Sequence, residues 1–289
     1  NATPVTYPAS IGVKTTLNNQ TNRCATIQSG VYPSPTTFTT DADVWYTFTT
    51  AASPNNQAVK VEVTSGLPWP FGDAMDPQIA LYKGSCPSSF TLVDDGYSAL
   101  GLPFYESFEF HCLEPNTTYY LMVDGSGLNE QGNFKLDVTR ISPHPLPTND
   151  HICDVGISAT NGYLGVLGGV TGNKIGSKNA GTEWHNFCSD VEPNENTLMT
   201  DGAYGLDQTV WFHFKTPNVA NNVNVEIRAL SDPNNKGDAI DLQMLLAQGN
   251  PTCPSANPFS SLTPIEAVDP ALTFNATMDV CLPPNTDFY

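Results

Sequence analysis

Carboxylates set in pairs are the residues of this sequence best suited to chemistry. Asp73 and Asp76 recur as Asp238 and Asp241, each pair just before an apolar run, and Asp41, Asp43, Asp94 and Asp95 add four more acids. Loop carboxylates that converge are what a hard cation such as Ca²⁺ requires. Asp73, Asp76, Asp238 and Asp241 are therefore the expected metal ligands, and calcium is the one cofactor the sequence suggests. The competing reading is that Asp beside Gly or Pro makes turns by bonding its own backbone. No EF-hand loop or glycine-rich calcium repeat is present. Neither GxSxG nor HExxH occurs, and His111, His144, His151, His185 and His213 recur at no shared position. No catalytic residue is assigned, and the chain is expected not to be an enzyme.

The 7 cysteines form no CxxC pair and no Cys/His cluster, which points to disulfides and an oxidising compartment, hence an extracellular or cell-surface location. Asn-x-Ser/Thr sequons at Asn1, Asn19, Asn116 and Asn275 are candidate glycosylation sites, and Pro33 to Thr37 could take O-linked sugar. Trp69, Phe71, Phe104 and Tyr105 lie near prolines, where aromatics either stack on polysaccharide or cap a core edge. A formal charge of -18, from 29 acidic and 11 basic side chains, repels phosphate backbones and argues against nucleic acid as a partner. No run of 18 apolar residues exists, so membrane insertion is not expected, and the absence of a charged-then-apolar leader before Asn1 reads as mature material.

These residues are positioned by a duplicated element order. Asp43 to Phe48 (DVWYTF) returns as Gln208 to Phe214 (QTVWFHF), Val59 to Val63 (VKVEV) as Val223 to Ile227 (VNVEI), and Gly72 to Asp76 (GDAMD) as Gly237 to Asp241 (GDAID). Leu113 to Tyr120 (LEPNTTYY) returns as Leu282 to Tyr289 (LPPNTDFY), and Cys24, Cys86 and Cys112 return as Cys188, Cys253 and Cys281. All these spacings fall between 164 and 169 residues. The ruler predicts domains at 1–140 and 149–289 with a proline-rich connector at 141–148. It also predicts that copy one lacks a cysteine segment upstream of residue 1 and copy two lacks its last strands. The pairing that follows is Cys86 with Cys112, Cys153 with Cys188 and Cys253 with Cys281, leaving Cys24 with a partner outside the chain; an intermolecular bond or a free thiol is the alternative.

Alternation in Val44-x-Tyr46-x-Phe48, Val59-x-Val61-x-Val63 and Phe134-x-Leu136-x-Val138 marks half-buried strands, while Gln78 to Tyr82 and Tyr119 to Val123 read as central strands. No stretch keeps helical spacing for three turns. The fold class is all-β, two tandem jelly-roll-type antiparallel β-sandwich domains.

The order Asn-Asp-x-x-Cys, Asp-Val-Trp-Tyr-x-Phe, Leu-Tyr-x-Gly-x-Cys, Pro-Asn-Thr-Thr-Tyr-Tyr and Gly-Asn-Phe-x-Leu-x-Val resembles the bacterial pre-peptidase C-terminal family of β-sandwich modules. The cysteine-bearing version is similar to tandem modules of large secreted and surface proteins in Bacteroidetes-like bacteria. The resemblance implies an accessory, adhesive or architectural role, and calcium binding in some members. The function expected is a non-catalytic structural or adhesive protein, a repeating unit of a filament, stalk or large adhesin. Its partners would be copies of itself, head to tail, by strand donation or covalent continuation. Thr3-x-Val5-x-Tyr7 and Ile11-x-Val13 are candidate donor stretches. The alternative is a carbohydrate- or protein-binding accessory module of a secreted hydrolase, with surface polysaccharide as ligand.

Overall fold

The computed structural model describes residues 2–27, 32–35, 37–54, 56–66, 75–85, 89–97, 104–126, 130–155, 162–168, 175, 186, 188–198, 208–230, 242–269 and 275–289. The chain divides into two units, Asn1–Pro145 and Leu146–Tyr289, separated within the proline-rich connector.

Among the described residues unit 1 contains nine strands: β1 Thr3–Pro4, β2 Lys14–Thr21, β3 Val44–Thr49, β4 Gln57–Ser65, β5 Pro77–Ser85, β6 Ser89–Tyr97, β7 Tyr105–Leu113, β8 Thr118–Gly125 and β9 Asn133–Arg140. They form one sheet in the order β1-β3-β8-β5-β6 and a second in the order β2-β9-β4-β7. Among the described residues of unit 1, only the short β1–β3 contact is parallel. The period-two pattern explains the layering. Val59, Val61 and Val63 of β4 and Leu136 and Val138 of β9 are fully buried against Phe48, Ile79, Leu81, Leu121 and Val123 of the other sheet. Lys60 and Glu62, on the outward positions of β4, pair at 3.1 Å.

Unit 2 contains β10 Tyr163–Val166, β11 His213–Lys215, β12 Val223–Leu230, β13 Met244–Gln248, β14 Thr263–Val268, β15 Asn275–Leu282 and β16 Asp287–Phe288. Its larger sheet runs β10-β11-β16-β13-β14, with β10 parallel to β11, the same order as the larger sheet of unit 1. Its second sheet, among the described residues, is the pair β12-β15 alone. The run Gln208 to Phe214, which answers to Asp43 to Phe48 in the repeat, is a strand only from His213 onward, over His213–Lys215.

Matching backbone devices recur in the two units. Thr50 Oγ1 donates to the carbonyls of Glu114 and Thr117 and accepts from Thr117 N. Thr216 Oγ1 does the same with Pro283, Thr286 and Thr286 N. Asn116 and Asn285, at corresponding turns, both take φ 51°, a left-handed conformation that Asn tolerates. Gly84 and Gly249 also correspond, with φ 139° and 136°. A Cβ there would lie 1.9 Å from Ser89 O and 2.5 Å from Ser261 O respectively, so both sites require glycine.

The cysteine ruler is corrected in unit 2. Cys153 is bonded to Cys253, not to Cys188, with Cα atoms 5.6 Å apart. The turn Ile152–Asp154 carries Cys153, and Ile152 packs with Ala247, Phe259 and Leu262, which brings the loop after β13 beside it. Cys281, expected as the partner of Cys253, is instead free and exposed on the outward side of β15. Cys24 is free and exposed. Cys112 and Cys188 are each disulfide-bonded, and Cys86 lies outside the described residues.

Candidate functional site

Of the four expected calcium ligands, Asp73, Asp238 and Asp241 lie outside the described residues. Asp76 stands at one end of the unit 1 sandwich, where its backbone N–H donates to Glu130 Oε1 at 2.8 Å and its carbonyl accepts from Ser126 N at 2.7 Å. Burial raises the carboxyls of both Asp76 and Glu130, and each feels a neighbouring acid or hydroxyl. Asp124, at the end of β8, is fully buried and pushed up to about 6 by that burial. Its oxygens accept from Asp41 N at 2.8 Å, Ala42 N at 3.1 Å and Gly125 N at 2.8 Å. Asp41, Asp76, Asp124 and Glu130 thus share one end of the unit, and Asp41 acts electrostatically on both Asp124 and Glu130.

Other expected acids tie down the segment before β3. Asp43 accepts from Tyr32 OH and from Trp45 Nε1, and Asp95 accepts from Thr37 N and Oγ1. These carboxylates hold aromatics and backbone in place, as the turn-making reading anticipates. Over them lies an aromatic layer on the outer face of the larger sheet: Tyr32, Trp45, Tyr82, Phe90 and Tyr120, with the Trp45 and Tyr82 rings 5.3 Å apart and those of Phe90 and Tyr120 4.9 Å apart. Sequence reasoning chose Trp69 and Phe71, outside the described residues, and Phe104 and Tyr105. Tyr105 is partly exposed and donates to Glu62 Oε1 at 2.7 Å.

A cluster missed at the sequence level lies in unit 2. His151 sits among Asp150 (3.9 Å), Asp190 (3.9 Å) and Glu192 (3.6 Å). Asp150, His151 and Asp190 each offer one ligand atom, all within 4.8 Å of one another, so these residues could hold a metal ion. Asp150 Oδ1 already accepts from Asp190 N, and Glu192 Oε2 from Ile152 N, so part of the oxygen capacity serves the loop itself. Glu195, 1% exposed, is pushed up to about 7 by burial while accepting from Glu192 N at 2.8 Å. The signal for this cluster was Asn149-Asp150-His151 followed at a distance by Asp190-x-Glu192-x-x-Glu195.

The remaining described histidines are structurally engaged. His213 Nε2 is 3.0 Å from Asp287 Oδ1 and its ring stacks on Tyr289 at 4.5 Å. The His111 and His144 rings lie 4.1 Å apart at a tilt of 39°, and burial, with His144 beside it, lowers the pKa of His111. His185 lies outside the described residues. Among the sequons, Asn19, Asn116 and Asn275 are exposed and Asn1 is not described.

Among the described residues, the two units differ at the edge of β12. Val59, Val61 and Val63 of β4 are 0% exposed, whereas Val223 and Ile227, at the corresponding places in β12, are only half-buried and Leu230 is 69% exposed. A cavity of about 390 Å³ lined by Asn224, Val225, Glu226, Asp279, Val280 and Cys281 opens across β12 and β15. The expected donor Thr3-x-Val5-x-Tyr7 is already in use in its own unit. Val5 is buried, its N–H donates to Thr47 O at 2.7 Å, and Tyr7 OH donates to Gln57 Oε1 at 3.0 Å. Ile11 and Val13 are exposed.

No family model matches the chain, and no curated protein matches it. Solved structures do match. One is the surface-associated copper-binding protein CorA of Methylomicrobium album BG8, at 8% identity and a TM-score of 0.30, covering 48% of this chain and 98% of its own.

Proposed function

We propose that this chain is a non-catalytic extracellular protein of structural or adhesive type, a repeating unit of a surface filament, stalk or large adhesin. The observation that carries this reading is the contrast between two copies of one sandwich. Unit 1 has a four-stranded second sheet, whereas the corresponding sheet of unit 2 has two strands among the described residues. An open edge beside partly exposed core residues favours pairing with further polypeptide. The Cys153–Cys253 disulfide is compatible with an oxidising compartment. Electron microscopy of native material tests the proposal. Continuous fibres of like units, with the end of unit 2 closed by polypeptide from a neighbour, would support it; dispersed single molecules would count against it.

The half-buried rings of Trp45 and Tyr120, on the outer face of the larger sheet of unit 1, favour a second reading, an accessory module that binds polysaccharide. It predicts saturable quenching of Trp45 fluorescence by soluble polysaccharide, and absence of quenching across a polysaccharide panel would remove it.

A further inference from the structure

Two segments of unit 2, distant in sequence, meet around the His151 ring. The first is fixed on both sides of the ring. Asn149 exchanges two hydrogen bonds of 2.8 Å with the Trp211 backbone, and the turn Ile152–Asp154 is bonded through Cys153 to Cys253. The second is held through Asp190, whose N–H donates to Asp150 Oδ1 at 3.1 Å and whose carbonyl accepts from Thr209 Oγ1 at 2.9 Å. Glu192 Oε2 accepts from Ile152 N at 2.7 Å. Asp150 and Glu192 thus each give one oxygen to the backbone and turn the other to His151, Oδ2 at 3.9 Å and Oε1 at 3.6 Å, while Asp190 Oδ1 stands 3.9 Å from the ring.

These gaps are too long for N–H···O hydrogen bonds, which close at about 2.7–3.2 Å. They are slightly wider than the roughly 3.4 Å between two ligands bound at a tetrahedral angle to one ion. Among the described residues the ion pairs of these acids are all with His151, and none is with Lys or Arg. Glu192, its side chain 10% exposed, keeps Oε1 without a hydrogen-bond donor among the described residues. Burial raises the carboxyls of Asp150 and Glu192, and the acids around them add to the rise. Turn formation does not account for these acids. Ala25 N donates to Asn22 O in unit 1 as Ser189 N does to Asn186 O in unit 2, and Cys24 and Cys188 follow with φ 60° and 62°. Yet Thr26 and Gln28 stand in the sequence where unit 2 has Asp190 and Glu192.

We propose that Asp150, His151 and Asp190 bind one divalent first-row transition ion, with the Glu192 carboxylate as the further anionic group beside it. The three residues each offer a ligand atom, all within 4.8 Å of one another. An imidazole nitrogen among carboxylate oxygens suits such an ion better than Ca²⁺, which takes about six to eight oxygens. His151 and Asp190 are 46% and 72% exposed, so solvent water completes the shell. The ion clasps the segment carrying Asp150 and His151 to the one carrying Asp190, and it stabilises unit 2 by mass action. The site stands independently of the filament reading.

The whole chain, stripped with chelator, is titrated with Zn²⁺ and separately with Ca²⁺ in a calorimeter. The expected result is one Zn²⁺ per chain, bound at least about tenfold more tightly than Ca²⁺. His151→Gln and Asp190→Asn, both at exposed positions, should each weaken Zn²⁺ binding by at least about tenfold, a loss that even an outer-sphere partner can cause. With Co²⁺ in place of Zn²⁺, the ring protons of His151 should shift most among the 5 histidines in the proton NMR spectrum. Absence of saturable Zn²⁺ binding overturns the site. Binding that both substitutions leave intact, or a Co²⁺ shift centred on another histidine, overturns the ligand assignment. Equal affinity for Ca²⁺ overturns the transition-metal class.

Discussion

Strands β4 and β12 carry nearly the same pattern, VKVEV against VNVEI, in two different settings. In unit 1 the three valines are fully buried between β7, β9 and the facing sheet. In unit 2 only Val225 of the corresponding three is buried, at 9% exposure, and the strand is paired on one side among the described residues. The pattern therefore selects the strand and the face it presents, while full burial depends on the neighbour beyond it. At about 1.5–3 kcal/mol for each fully buried apolar side chain, the core contribution of Phe134, Leu136 and Val138 is a large share of a domain's net stability.

That contrast can be broken most sharply by core truncation. Leu136→Ala should cost unit 1 about 2–5 kcal/mol, as expected for a fully buried leucine, whereas Ile227→Ala in unit 2 should cost about 1 kcal/mol because its side chain is only half-buried. Denaturant titration with probes in each unit reads both values, and equal losses would erase the distinction.

The threonine clamps sharpen the comparison from the other side, since they are alike in the two units. Thr50→Val and Thr216→Val should each cost about 1–2 kcal/mol, the cost of leaving the carbonyls and the N–H they serve without that hydroxyl. A large loss in one unit and none in the other would show that the shared turn is not equally formed.

Two carboxyls give the units opposite responses to pH. Burial holds Glu195 at about 7, above its ordinary 4.5, so folded unit 2 keeps a proton that the unfolded chain has released. Its stability falls as pH rises through that window, by about 1–2 kcal/mol after allowing for solvent screening, and Glu195→Gln should flatten the profile. In unit 1, burial pushes Asp137 up, but hydrogen bonds from Lys135, Thr16 and Lys14 outweigh it and hold the carboxyl at about 2. Its contribution is present above 3.8 and lost as pH falls towards 2. Asp137→Asn should remove about 1 kcal/mol near neutral pH and the acid-side slope of unit 1 with it, as measured by melting temperature against pH.

Strand identity and the duplicated order were legible because they are local properties: alternation in Val59 to Val63 and Phe134 to Val138, repeated turns, and cysteines in step. The failures have a common cause in contacts between distant segments. The cysteine ruler assumed that equivalent positions choose equivalent partners, yet packing of Ile152 against Phe259 and Leu262 delivers Cys153 to Cys253. Val5 and Tyr7 have the alternation of a free donor but are committed to β3 and to the core of their own unit. Linear spacing likewise pointed to Asp76 without revealing that Asp124 and Glu130 converge with it, or that Asp150, His151 and Asp190 meet in unit 2.

Native-state hydrogen exchange on the whole chain, comparing β4 with β12, tests the open edge most directly. The account predicts that consecutive β4 amides are protected to a common level, whereas in β12 protection alternates, with amides facing β15 exchanging slowly and those between them at nearly unprotected rates. Uniform protection along β12, matching β4, would show that the edge is already covered and would contradict the account.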